Sequence, residues 1–443
     1  MATALEQIEH IFILMMENRS FDHMLGYLDA SNSAVVGITD AQRAGYANLF
    51  NAAPYAPAPR TDPAVPVDPL HEREDIRRQM RWNPGDKMMT GFVADYATVS
   101  PADPYPAGQY YAAAQVPMID FLAREFCVCD HWFACLPAST QPNRLMAMSG
   151  YSLRDHTTNQ LLDDQDVAYD WLDAQGVSWR VYSEGFPFFA LMPKIQRRIV
   201  ADVWDNLFRG LVALDSDCRS ADTLPKVIFI EPQYTDGAEP DKADDDHPLT
   251  PITRGQDLLR RVYAAVTGNP QLWSKSILIV TYDEHGGFFD HVEPLPLVTP
   301  HNHGESYLQF TTTGVRVPAI VVSPFVARGS CFSQPLDHTS ILKMLADKYT
   351  PATPYSDDVA ARTTIHSVQE SLMLATPRPG AAPSLPPPPP PLLAAAAPPI
   401  LRRGMPSPNS IAFLNAIEEL RRLDPQAAAH KYPAWKDYFL KGR

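Results

Sequence analysis

The sequence predicts an α/β fold: a mostly parallel central sheet with helices on both faces. Three observations predict it. Short, continuous apolar runs such as 11–16 and 276–282 read as strands buried on both sides. Stretches of helical periodicity, at 165–174, 254–266 and 338–348, alternate with such runs. Polar and acidic residues gather where the strongest strands stop, as they do where open α/β sheets bind ligands. The chain has 443 residues, 45% apolar and 20% charged, enough for a large globular core.

Taken in order, the first strand spans 11–16 and breaks at Glu17, Asn18, Arg19 and Ser20. Ser20 is placed to cap a helix running through Phe21, Met24 and Leu25. Residues 30–70 are rich in Ala, Gly, Asn, Asp and Pro and read as a surface excursion. Helical spacing returns at 72–80 and 118–126. A strand follows at 126–130, and a helix is expected to start near Thr140 and pass through Leu145 and Met148. Strands are predicted at 179–182, 227–230, 276–282 and 317–323.

The main body is therefore placed at 1–355 and a tail at 356–443. Within the tail, 377–399 contains six consecutive prolines and reads as a stiff spacer. Ile411, Leu414, Ile417 and Leu420 then recur at every third position, which predicts an amphipathic helix over about 409–423. Docking of that helix on the body is favoured over membrane contact, because its polar face is mixed in sign.

The net charge is -14, which argues against a nucleic-acid partner. No apolar run reaches the length of a membrane span. Glu6 and Glu9 stand where an export signal would be basic, so no such signal is readable. Five sparse cysteines without a C-x-x-C pair predict reduced thiols, and a cytoplasmic location follows as the expectation.

Two central strands end in oxygen-rich pairs, Glu17-Asn18 and Asp283-Glu284. Carboxylate and amide oxygens suit a hard divalent cation, although acidic residues also cap helices for structural reasons alone. Thr140 stands at a helix start, where backbone N–H groups favour an anion. It is either a simple cap or a nucleophile activated by a neighbouring cation. His71, His247, His285 and His291 stand near acidic residues, where a histidine can protonate a leaving oxygen or merely pack. Tyr105, Tyr110, Tyr111, Trp82, Trp132 and Trp204 suggest either a cation cage or ordinary packing.

Together these segments resemble the bacterial phosphoesterase family of phosphatidylcholine-type phospholipases C and acid phosphatases, within the alkaline phosphatase-like hydrolases. The resemblance rests on Glu-Asn-Arg-Ser-Phe-Asp-His at 17–23, Asp-Pro-Leu-His at 68–71 and Thr-Gln-Pro-Asn-Arg at 140–144. It also rests on Asp-Asp-His-Pro at 245–248, Tyr-Asp-Glu-His-Gly-Gly-Phe-Phe-Asp-His at 282–291, Gly-Val-Arg-Val-Pro at 314–318 and Asp-His-Thr-Ser at 337–340. The resemblance implies an alkaline phosphatase-like core and hydrolysis of phosphate esters, phospholipids among the substrates. It implies one divalent metal ion of unspecified identity on Glu17, Asn18, Thr140, Asp283 and Glu284. Thr140 would be the nucleophile and His247 the general acid, with His71 as its rival. Asn143, Arg144, Asp246 and His285 would contact substrate. A threonine at the nucleophile position points to the phospholipase branch, with phosphomonoester hydrolysis the enzymatic alternative and a non-catalytic metal-binding scaffold the other.

Overall fold

The computed structural model describes residues 2–30, 34–81, 88–202, 204, 206–297, 310–387 and 406–442. Trp82 and the second half of the proline-rich segment lie outside them. The core is an eight-stranded sheet of β1 (His10–Met16), β2 (Cys127–Cys129), β3 (Trp179–Ser183), β4 (Phe208–Gly210), β5 (Val227–Glu231), β6 (Ser276–Tyr282), β7 (Ala319–Val322) and β8 (Ser330–Phe332). Their spatial order is β8-β2-β7-β6-β1-β5-β3-β4. Seven strands run one way; β7 alone is antiparallel to both neighbours. Periodicity located β7 but carries no strand direction, so only the structure supplies its reversal.

Every residue of β1 and β6 is buried, which requires cover on both faces of the sheet. Among the helices α1 (Phe21–Leu25), α2 (Arg73–Met80), α3 (Thr140–Ser149), α4 (Ile252–Thr267), α5 (Thr339–Tyr349), α6 (Pro408–Leu423) and α7 (Pro425–Lys431), all but α2 bury residues in the same apolar cluster as the strands. Ser20 accepts from the His23 N–H and starts α1 directly after β1. Among the described residues no helix is long and apolar enough to cross a membrane. The 30–70 excursion forms three short strands, Asn48–Phe50, Ala53–Tyr55 and Ala58–Arg60, before it delivers Asp68 and His71 to the site.

Packing runs straight across residue 355. Phe413, Ala416, Ile417 and Leu420 of α6 belong to the same apolar cluster as β1 and β6. The buried stripe also takes in Ala412, while Leu414 is 51% exposed. A spacing of three residues falls 60° short of a full turn at each step, so an every-third pattern drifts off the buried face. The start of the proline-rich segment is strapped down as well. The Arg378 N–H donates to Pro324 O at 2.8 Å, and the Tyr263 hydroxyl donates to Pro383 O at 2.6 Å. Residues 377–387 are therefore part of the body and not a free spacer.

The tail is also held by charge. Lys431, at the end of α7, donates to Asp202 at 2.9 Å. The Asn206, Leu207 and Phe208 N–H groups donate to the same carboxylate. Burial opposes ionisation of Asp202, but these N–H groups and Lys431 outweigh it and hold the carboxyl below its usual range. A depressed folded pKa gives stability that is present above the unfolded value of about 4 and is lost as pH falls through the folded value. Asp202→Asn is accordingly expected to cost about 1 kcal/mol at pH 7, discounted for solvent screening, and progressively less as pH falls below about 4. Denaturation curves of both proteins across that range check this; a difference independent of pH would contradict it.

Candidate active site

The site begins with strand register. β1 and β6 pair in parallel from His10 opposite Ser276 to Met16 opposite Tyr282. The next residues, Glu17 and Asp283, therefore leave the sheet side by side. Asn18 takes a left-handed conformation, φ 57°, which Asn tolerates better than most residues. Its N–H donates to Asp283 Oδ1 at 3.2 Å, and the Glu284 N–H donates to the same oxygen at 2.7 Å. Gly286, at φ 62°, passes so close that a Cβ would lie 2.2 Å from Asn18 O. Only glycine permits that approach.

α3 supplies the hydroxyl. Thr140 is its first residue, is buried, and places Oγ1 3.4 Å from Asn18 Oδ1. The preceding Ser139 donates to Glu72 at 2.8 Å, which ties the start of α3 to the loop carrying His71. The His71 ring is oriented by its Nδ1, 2.8 Å from Pro69 O, so that Nε2 lies 3.3 Å from the Asn18 amide nitrogen. The His247 ring centroid is 5.8 Å from that of His71, and its Nδ1 is 3.1 Å from Pro248 O. Pairwise contacts thus link Asn18 to Asp283, Thr140 and His71, and His71 to His247, at the carboxyl ends of β1 and β6, where Glu17 and Glu284 also leave the sheet.

The four residues expected to contact substrate sit differently. The Asn143 amide is committed to backbone: its oxygen accepts from the Leu136 N–H at 2.9 Å and its nitrogen donates to Ala138 O at 2.6 Å. It shapes the turn before Thr140. Arg144 is buried beneath the carboxylates, 3.2 Å from Glu17 Oε1 and 3.4 Å from Asp283 Oδ2. Asp246 is buried and accepts from the Tyr282 hydroxyl at 2.5 Å. His285 Nε2 is 2.8 Å from Gln79 Oε1, and Nδ1 lies 3.3 Å from Glu284, so the ring orients that carboxylate. Asn143, Arg144 and His285 are held by protein partners, whereas Asp246 is held by Tyr282 through one oxygen and its Oδ1 has no hydrogen-bond partner. The aromatic residues do not converge either: Trp132 and Tyr111 are buried in the core, whereas Trp204 is 82% exposed.

The acidic oxygens are unbalanced. Both carboxylate oxygens of Glu17, Asp283 Oδ2 and Glu284 Oε1 are buried without a hydrogen-bond partner. Burial pushes the Glu17 and Asp283 carboxyls up, and Arg144 only partly opposes it. Glu17 and Asp283 share the Arg144 guanidinium, and with Glu284, the Asn18 amide oxygen and the Thr140 hydroxyl they offer hard oxygen donors; buried carboxylate charge that is only partly compensated is costly. The residues present therefore fit the expected divalent cation. Burial disfavours a charged His71, but Glu284, Asp68 and Glu72 outweigh it and raise the ring to about 10. His247 is raised as well: burial opposes, and Asp68, Asp236 and Asp245 prevail.

Sequence reasoning assigned no role to Asp68, Asp236, Glu72 or Gln79. Asp68 Oδ1 is a further buried oxygen without a hydrogen-bond partner, in the field of both histidines. Its place in the Asp-Pro-Leu-His string was the available signal; Asp236 and Gln79 had none. A second acidic group also offers ligand atoms close together, Asp22, Asp290 and His291. There Arg316 already provides the positive charge, 3.0 Å from Asp22 and 2.9 Å from Asp290. That group is an ion cluster that ties α1 to the loop after β6.

Fold and site together describe an α/β protein that gathers acidic and histidine side chains at its central strand ends. A model of the Phosphoesterase family matches residues 8–350, and the chain belongs to that family. It is 31% identical to non-specific phospholipase C3 of Arabidopsis thaliana, with 74% of this chain and 65% of the relative covered. It is 30% identical to phospholipase C A of Mycobacterium tuberculosis, covering 79% and 74%. The chain thus spans slightly less than two thirds of the Arabidopsis protein. Among solved structures, the phosphonate monoester hydrolase of Agrobacterium radiobacter is similar at a TM-score of 0.39 and 10% identity, over 82% of this chain and 77% of that one. At that score it adds nothing to the family assignment.

Replacing Arg316 separates the two acidic groups experimentally. Arg316→Met leaves Asp22 and Asp290 buried and facing each other, and is expected to cost about 3–5 kcal/mol of stability. Chemical denaturation measures it. Near-normal stability that depended on a divalent cation would show instead that this cluster holds an ion.

Proposed function

We propose that this protein hydrolyses phosphate esters, with phosphodiester cleavage of the phospholipase C type as its main reaction. One observation carries the reading. A buried threonine hydroxyl at a helix start meets the side chain of Asn18, which His71 also meets, at the strand ends where buried carboxylate oxygens lack hydrogen-bond partners. The family membership and the phospholipase C names of the relatives support it.

Glu17, Asn18, Thr140, Asp283 and Glu284 would hold the divalent cation. When bound, such an ion supplies positive charge that lowers the pKa of a neighbouring hydroxyl and offsets charge on phosphoryl oxygens. Thr140 Oγ1, its proton released to solvent, attacks phosphorus in line as the alkoxide, and the bond to the leaving alkoxide breaks. His247 Nε2, protonated in its acidic surroundings, gives its proton to that oxygen. His71 Nε2 and the N–H groups at the start of α3 meet the charge on the non-bridging oxygens. Water then attacks the phosphothreonine, releases the phosphoryl product and restores the hydroxyl. Arg144 stays below the site and fixes the two carboxylates that flank it.

A paired assay tests this on the purified chain: a chromogenic phosphocholine diester against the matching phosphate monoester, each with and without a chelator. The diester is expected to turn over faster, and the chelator to abolish turnover of both. Thr140→Ala is expected to lower kcat by at least on the order of 10³-fold, as removal of a covalent nucleophile does. Faster monoester turnover would make the protein a phosphatase; near-normal turnover by the alanine variant would remove Thr140 from the reaction.

A further inference from the structure

The polar first turn of α6 does something its apolar stripe does not. Three of its side chains converge on one carboxylate. Ser407 Oγ and Ser410 Oγ donate to Asp236 Oδ1 at 2.8 and 2.9 Å, and Asn409 Nδ2 donates to Oδ2 at 3.3 Å. Ser407 also caps the helix by accepting from the Ser410 N–H at 3.0 Å. Asp236 is half-buried in the loop between β5 and His247 and stands in the field of Glu17, Asp68 and His247.

The same turn reaches the other side of the site. Asn409 Oδ1 accepts from Gln141 Nε2 at 3.2 Å, and Asn409 is buried. Gln141 directly follows Thr140, and its amide also grips Thr158, donating to the carbonyl at 2.9 Å and accepting from the N–H at 3.1 Å. Asn409 thus joins the helix that bears Thr140 to the loop that leads to His247. It does so from a segment outside residues 8–350, the part the family model matches.

We propose that the Ser407–Asn409–Ser410 turn is a positioning element of the active site. It acts through Gln141 on the placement of Thr140, and through Asp236 on the loop that carries His247. The chain past residue 405 is then a working part of the site's wall. This rests on the hydrolytic reading above. A buried glutamine amide that loses one of its partners shifts to recover it, and small displacements of a nucleophile are expensive in rate.

The test uses the full chain in four variants. Asn409→Ala cuts the bridge. Ser407→Ala with Ser410→Ala releases Asp236, and Ser407→Thr with Ser410→Thr keeps both hydroxyls. Ile417→Val trims the apolar stripe of the same helix as a control for docking alone. Steady-state kinetics on the diester and amide hydrogen exchange are read for each. Asn409→Ala and the double alanine are expected to lower kcat about tenfold with KM within about twofold. They are also expected to speed exchange around Gln141 and residues 234–237 while β1 stays protected. The threonine pair restores kcat, and Ile417→Val leaves it unchanged.

Wild-type kcat in both alanine variants, or unchanged exchange at those two places, overturns the proposal. So does an equal loss of kcat in Ile417→Val, which would reduce the tail to a docking element. A wild-type chain that hydrolyses no phosphate ester defeats the functional reading. Hydrogen exchange then still decides whether the turn holds the two segments together.

Discussion

The structure depends on the in-register parallel pairing of β1 with β6. Both strands are buried along their whole length, so neither slides by one residue without turning its apolar side chains to the wrong face. That constraint fixes where the strands end, and with it the positions of Glu17, Asn18, Asp283 and Glu284. Four donor residues are aligned by the hydrophobic packing of two strands, without any long-range attraction among them. Their mutual repulsion is a cost that the core supports. Arg144 on α3 relieves part of it, and the orphaned oxygens mark what remains.

Much of this was legible because strand ends are legible. Continuous apolar runs located β1, β5 and β6 to within a residue or two, and the polar breaks after them pointed to the site. Thr140, His71 and His247 were legible through their strings of neighbours, which the resemblance made readable. The illegible parts share a physical cause. Asn143, Arg144 and His285 sit in the same strings as Thr140, Asp283 and Glu284, yet each spends its polar atoms on protein partners, and Asp246 gives one of its oxygens to Tyr282. A string of letters does not separate a side chain that faces substrate from one that braces its neighbour. Strand direction is equally silent in periodicity, and β7 runs backwards for that reason.

The tail shows a second limit of pattern reading. Its composition marks a boundary, and the prolines after residue 377 suggest a spacer between independent parts. Packing follows contact instead. Residues 377–387 lie against the body through Pro324, Tyr263 and Arg260, and α6 buries its stripe in the common core. Proline-rich sequence has a stiff backbone with free carbonyls, and such a strand docks wherever a surface offers donors.

The two acidic groups illustrate how charge accounting distinguishes a structural cluster from a reactive one. Asp22, Asp290 and His291 look ready for a metal by proximity, yet Arg316 answers both carboxylates, and neither is left with an unpartnered oxygen. At the ends of β1 and β6 the opposite holds. Arg144 shares itself among Glu17, Asp283 and Glu231, and beyond those ion pairs Glu17 Oε2 and Glu284 Oε1 lack a hydrogen-bond partner. A fold tolerates such a deficit only where something else is to supply the charge. The imbalance, more than the identity of the residues, is therefore what supports the proposal that a cation and an anionic substrate meet at the strand ends.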